Sequence, residues 1–162
     1  MNHFEFFKIP IQFYPDLKMI AKKFKMNTLA NHPDLNAGGV DSEILTAQNN
    51  AAYAQLKNER KRIAYILSLG IVHLEKKSLS PEFLMEMMEV NEALMYAQLE
   101  GEDTQEQLNK VEIKDKKIWS DIAKLGARHD AGELDFEEAC VQINNLYLQS
   151  NYMLRILDNH GS

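Results

Sequence analysis

Hydrophobic positions along this chain recur every third or fourth residue, the period of helices that bury one face. The first such segment is short: Asn2 with Glu5 has the form of a capping box, Phe4 and Phe7 follow, and Pro10 ends it. Through PDLKMIAKKFKMNTLAN, Leu17, Ile20, Ala21, Phe24 and Thr28 form an inward stripe, with Pro15 suited to the first helical position. The opposite face carries Lys18, Lys22 and Lys25 with Lys23 nearby, so the solvent side of this helix is a line of positive charge. Pro33 disfavours helical geometry at His32 and stops the helix, leaving His32, Pro33 and Asp34 in a loop that Gly38 and Gly39 keep mobile. Asp41 or Ser42 caps the next helix, SEILTAQNNAAYAQLKNERKRIAYILSLG, which is predicted to break near Asn58 into a second segment before Gly70.

Residues 72–79 are polar and aperiodic, which predicts a linker between a unit over 1–71 and a second over 80–160. The second unit opens at Ser80 with Pro81 in the first helical position and runs to Gly101; Thr104 and Gln107 form another capping box. A long helix then runs toward Gly132, with Gly126 as a soft spot, and Asp135 with Glu138 opens a last helix rich in Ile143, Leu146, Leu148, Leu154, Ile156 and Leu157. Three helices joined by two short turns make an up-down-up bundle. No strand pattern or repeat competes, so the fold class is all-α.

On a helical wheel, SPEFLMEMMEVNEALMYAQLEG has two apolar faces. Phe83, Met87, Val90, Leu94 and Ala97 lie within about 40° of a line and form the bundle core. Leu84, Met88, Met95 and Leu99 fall on the other side, with Met85, Glu89 and Glu92 beside them. An outer helix of a three-helix bundle needs one apolar face, so the second requires a partner: another protein, the other half of this chain, or both in part. Four of the eight methionines fall between positions 85 and 95, and flexible thioethers suit a surface that accommodates another protein.

Charge separates the same two regions. Up to and including Lys77 the chain carries 11 basic and 7 acidic residues, and after it 7 and 17. That asymmetry argues for two surfaces serving different partners, or two differently solvated ones, and against a nucleic-acid binder. The opening MNHFEFFKIPIQF has no basic stretch followed by a long apolar run, and no segment approaches a membrane span. Cys140 is the single cysteine, so no internal disulfide forms and a reducing cytoplasm fits. The expected protein is unexported and free of membrane partners.

Candidate chemistry is sparse. His3, His32, His73, His129 and His160 do not stand at metal-ligand spacing with one another or with Cys140, and no phosphate-cradling loop or nucleophile elbow is present. The stretch ARHDAGELDFEE has the outline of a calcium loop around Gly132, but its first three side-chain ligand positions are Ala127, His129 and Ala131, and alanine supplies no oxygen. A helix-turn-helix corner is expected instead. Neither enzymatic activity nor a bound metal or cofactor is expected.

The order of a basic-faced helix, a His32-Pro33-Asp34 loop and a helix containing NNAAYAQL resembles the J-domain co-chaperones. The resemblance implies that His32, Pro33 and Asp34 form a triggering loop for the ATPase domain of a heat-shock chaperone, with Lys18, Lys22 and Lys25 as the steering surface. Two positions depart from the common pattern: Asn31 stands where an aromatic or hydrophobic residue is usual, and Leu35 where a basic residue is common. With the acidic bundle that begins PEFLMEMMEVNEAL and its FLMExMExxExL pattern, the resemblance narrows to the HscB-type co-chaperones of iron-sulfur cluster assembly and covers Phe4 to about Leu157. That family implies an L-shaped molecule, an N-terminal J-domain helical hairpin plus a C-terminal three-helix bundle. It also implies an ATPase chaperone of HscA or DnaK type and the scaffold protein IscU as partners. Leu84, Met85, Met88, Glu89 and Glu92 would contact the scaffold, with Tyr147 the nearest match to the aromatic of the last helix. Asn91 stands at an arginine position of the family, and the cysteine-rich extension of some eukaryotic relatives is absent, as in a bacterial-type member. A helical interaction adaptor without ATPase-stimulating activity is the alternative reading.

Overall fold

The computed structural model describes residues 1–32, 34–35, 39–74 and 79–161. Pro33 and Gly38 of the expected loop, and residues 75–78 of the expected linker, lie outside the described residues. The chain divides into two compact units, Met1–Val72 and His73–Ser162. Among the described residues there are helices and turns but no strand, and no helix is long and apolar enough to cross a membrane.

In the first unit, α1 (His3–Phe6) begins with the expected capping box at Asn2 and Glu5. Helix α2 (Leu17–Ala30) starts two residues later than the proline pattern predicts. Asp16 is the cap, accepting from the backbone N–H groups of Lys18 and Met19, so Pro15 is buried ahead of the helix instead of occupying its first turn. Of the expected inward stripe, Ile20 is fully buried and Ala21 and Phe24 are half-buried, whereas Leu17 is 46% exposed. Leu17 sits in the first turn, about 60° around the helix from Ile20. Helix α3 (Val40–Leu56) lies antiparallel to α2, with Phe24 stacked on Tyr53 at 4.2 Å between ring centroids. Its cap is Gly39, not Asp41 or Ser42; those two fall inside the first turn, and the Ser42 hydroxyl donates to the Asn31 carbonyl. The break near Asn58 is present, and the Asn58 side chain caps α4 (Glu59–Ser68). Phe4, Phe7, Phe13, Ile20, Ala52, Leu56, Ile63 and Ile66 make the core. Burying each large apolar side chain contributes roughly 1.5–3 kcal/mol.

The second unit is the expected three-helix bundle. Helix α5 (Pro81–Leu99) is capped by the Ser80 hydroxyl, which accepts from Phe83 N–H, with Pro81 at the first position. It closes at Gly101, whose φ of 69° only glycine adopts without strain. Helix α6 (Gln105–Asp130) does not start with the capping box expected at Thr104 and Gln107. The Thr104 backbone is not extended and its hydroxyl caps nothing; the Asp103 carboxylate takes the Gln105 N–H instead. The corner between α6 and α7 (Phe136–His160) turns on Gly132 at φ 79°, and Asp135 caps α7 by accepting from Glu137 and Glu138. The stretch 127–138 is therefore a helix-turn-helix corner, and among the described residues no group of three or more His, Cys, Asp or Glu side chains converges as metal ligands.

Helices α6 and α7 pack along their length around Val111, Ile118, Ile122, Ala139, Ile143 and Met153. A polar chain crosses this seam: the Trp119 indole N–H donates to the Ser150 hydroxyl, which in turn donates to the Asp115 carboxylate. Helix α5 leans on α7, Phe83 meeting Tyr152 edge-on, and His160 links the far ends by hydrogen bonds to the Asn91 and Gln98 side chains. Cys140 is buried in the seam, and burial, with the Asp135 charge adding to it, pushes its thiol up to about 11. At pH 8 only on the order of a thousandth of it is thiolate. A maleimide should leave the native protein unlabelled over an hour and label it promptly in denaturant; rapid native labelling would contradict this placement.

Candidate functional site

Two surfaces carry the residues singled out by the sequence, one in each unit. In the first, Lys18, Lys22 and Lys25 are exposed along the outer face of α2, with Lys23 half-buried. The end of that helix is held by amide chemistry. Asn49, 1% exposed, donates to the Phe24 carbonyl at 3.1 Å and to the Thr28 hydroxyl at 3.2 Å, and accepts from the Asn27 side chain at 3.2 Å. A buried amide with its partners satisfied sets the register of the two helices, because any slip leaves it unpaired. With Ser42 tied to Asn31, both sides of the following loop are anchored.

Beyond Asn31, the His32 side chain is 46% exposed and that of Asp34 87%. The two are joined: the Asp34 backbone N–H donates to His32 Nδ1 at 3.2 Å, and Nδ1 lies 3.6 Å from Asp34 Oδ2. In the neutral imidazole this bond places the proton on Nε2 and leaves that N–H as the donor available to a partner. Pro33 lies outside the described residues. Met26, Leu29 and Leu35 are 58%, 62% and 68% exposed. Leu35 is one of the two residues that depart from the common pattern; Met26 and Leu29 were not singled out from the sequence, although they lie one turn apart and off the stripe that Ile20 and Phe24 bury.

In the second unit the two faces of α5 separate as expected. Phe83, Met87, Leu94 and Ala97 are buried and Val90 half-buried, while Met85 is 63% and Met88 56% exposed. Leu84 is half-buried; Glu89 and Glu92 are exposed, and no ion pair involves either among the described residues. Glu86, by contrast, pairs with Lys114 of α6. Tyr147 is half-buried on α7. It packs edge-on against Trp119 of α6, at 6.5 Å between centroids, and the α7 ring that meets α5 is Tyr152. Five residues separate them, about 140° around the helix, so they serve different neighbours. Asn91 turns toward α7, where it bonds His160.

Comparison with known proteins agrees with this architecture. The family model described as "HSCB C-terminal oligomerisation domain" matches residues 79–159. A co-chaperone protein HscB homolog from Vibrio cholerae serotype O1 is 38% identical over 102 residues, covering 58% of this chain and only 60% of that protein. The homolog from Acinetobacter baylyi is 32% identical over 142 residues, covering 86% of this chain and 79% of that protein. Among solved structures, the chaperone HscB from Vibrio cholerae superposes with a TM-score of 0.68 at 25% identity, covering 99% of this chain and 96% of that one. Human co-chaperone protein HscB shares the fold, with a TM-score of 0.56 at 18% identity over 99% and 83% of the two chains. With half of its length matched by the family model and most of it by the Acinetobacter relative, this chain belongs to the HscB family of co-chaperones.

Proposed function

We propose that the protein delivers an IscU-type iron-sulfur scaffold to an ATPase chaperone of HscA or DnaK type in the cytoplasm and stimulates that chaperone's ATP hydrolysis, acting as a J-domain protein without chemistry of its own. The observation that supports this reading is that the residues of the two expected sites are exposed on two separate compact units. One comprises His32 and Asp34 behind a lysine-faced helix, and the other is the apolar, acid-edged face of α5. A compact carboxylate such as Asp34 suits pairing with an arginine of the chaperone, and the lysines would speed encounter with an acidic surface. To stimulate hydrolysis, the loop must bind the hydrolysis-competent conformation of the chaperone more tightly than the resting one. Leu84, Met85, Met88, Glu89 and Glu92 would hold the scaffold through a modest, reversible interface.

The test is steady-state ATPase of the purified chaperone with and without this protein and scaffold, together with calorimetric titration of scaffold into this protein. Replacing Leu84, Met85 and Met88 together by alanine should weaken scaffold binding by about tenfold or more, because a loss of about 0.5 kcal/mol at each of three contacts already amounts to that factor. Melting should fall by no more than about 8 °C, since Met85 and Met88 lie outside the core and only Leu84 is half-buried. Scaffold binding without any ATPase stimulation by the wild-type protein would favour a plain adaptor.

A further inference from the structure

The outer face of α5 does not stop where the pattern FLMExMExxExL ends. Beyond Glu92 it continues through Met95, Tyr96 and Leu99, which are 50%, 69% and 82% exposed. Together with Glu92 these three line a hollow of about 300 Å³. They stand three, four and seven residues after Glu92, the spacing of neighbours on one helix face, so Leu84, Met88, Glu92, Met95 and Leu99 form one unbroken stripe. At ~1.5 Å rise per residue, the extension adds roughly 10 Å to the recognition surface.

Large apolar side chains exposed singly need no explanation, but a contiguous run of them on one helix marks an association surface. The opposite face of α5 already has its partners in the bundle, Leu94 and Ala97 being buried beneath this same stretch. The chemistry of the stripe also points to its occupant. Glu92 borders both halves, so an object seated at Met88 and Glu89 is already in contact with the rim of the hollow. The carboxylates of Glu89 and Glu92 meet no cation among the described residues, which suits a partner with basic groups around an apolar side chain. A second copy of this chain suits it poorly, because the sequence after Lys77 holds 17 acidic residues against 7 basic ones, and two such faces repel.

Resting on the scaffold reading above, we propose that the footprint of the scaffold protein runs the length of α5, with the hollow at Glu92, Met95, Tyr96 and Leu99 receiving an apolar side chain of the scaffold and Glu92 pairing with a basic group beside it. Tyr96 is the anchor, as a large ring with a polar tip that stands in the open before binding.

The experiment is calorimetric titration of purified IscU-type scaffold into the full-length protein in three forms: wild type, Leu84→Ala/Met85→Ala/Met88→Ala, and Met95→Ala/Tyr96→Ala/Leu99→Ala. Thermal melting and sedimentation are run in parallel. The distal variant should bind about tenfold more weakly, melt with the wild type and keep its mass, and Tyr96→Phe should retain most of the affinity. If the distal variant binds like the wild type while the proximal one fails, the footprint ends at Glu92 and the inference is overturned, with the scaffold reading intact. If the distal variant keeps its affinity but dissociates a dimer, the occupant is a second copy and the inference is equally overturned. If the wild type itself does not bind the scaffold, the scaffold reading fails and takes the inference with it.

Discussion

Replacing Arg62 by alanine is expected to destabilise the N-terminal unit by about 3–5 kcal/mol. Arg62 is 3% exposed, on the inner side of α4. Its Nε donates to the Phe13 carbonyl at 2.8 Å and its Nη1 to the Leu56 carbonyl at 2.7 Å, while the guanidinium faces the Tyr14 ring at 5.5 Å. One planar fork therefore ties the segment ahead of α2 to the last turn of α3. Truncation removes two charge-assisted bonds, takes that donor from both carbonyls and opens a cavity. Against the 5–15 kcal/mol that hold a typical domain together, this is a large fraction. The melting temperature of a unit this size should fall by more than about 12 °C. Calorimetry on the full chain, with hydrogen exchange read separately over residues 1–72 and 73–162, checks it. Melting within about 3 °C of the wild type would refute the clamp. Arg62→Lys should fall between, because an ammonium reaches one carbonyl but lacks the fork.

Nothing in ERKRIAYILS distinguishes Arg62 from Arg60, since charged residues of a helix are ordinarily solvated and only the convergence of two distant carbonyls makes one of them structural. The caps divide in the same way. Asn58, Ser80 and Asp135 were legible because each is followed directly by a helical pattern and its side chain reaches the nearby N–H groups. Thr104 and Ser42 failed because several capping residues stand side by side, and backbone angles set by packing choose among them.

The two faces of α5 could be read from periodicity alone, since they differ in phase by about half a turn. The partner of Tyr147 could not. Helix α7 carries apolar or aromatic residues on several sides, so the pattern tells that a residue is covered without telling by which neighbour, and the ring beside α5 is Tyr152. Asn49 also escaped notice, because a buried asparagine announces itself only when Phe24, Thr28 and Asn27 are seen to meet it.

His32→Gln should abolish stimulation of the chaperone's ATPase while leaving scaffold binding and melting unchanged. The side chain is 46% exposed, so its removal costs the fold little. Its value lies in geometry: with Nδ1 accepting from the Asp34 N–H, the neutral imidazole carries its proton on Nε2 as a donor. Glutamine can also donate, but its amide sits on a longer, freely rotating stem and has no ring nitrogen where Nδ1 stands, so the Asp34 backbone loses its partner and both side chains lose their mutual placement. Asp34→Asn should give the same loss by another route, removing the charge that would meet an arginine of the chaperone. Both variants leave Lys18, Lys22 and Lys25 in place, so encounter with the chaperone should persist while stimulation vanishes. The measurement is single-turnover hydrolysis by the chaperone at saturating co-chaperone, alongside direct binding. If either variant stimulates within about threefold of the wild type, the exposed loop is not the trigger, and the lysine-faced helix would have to act without it.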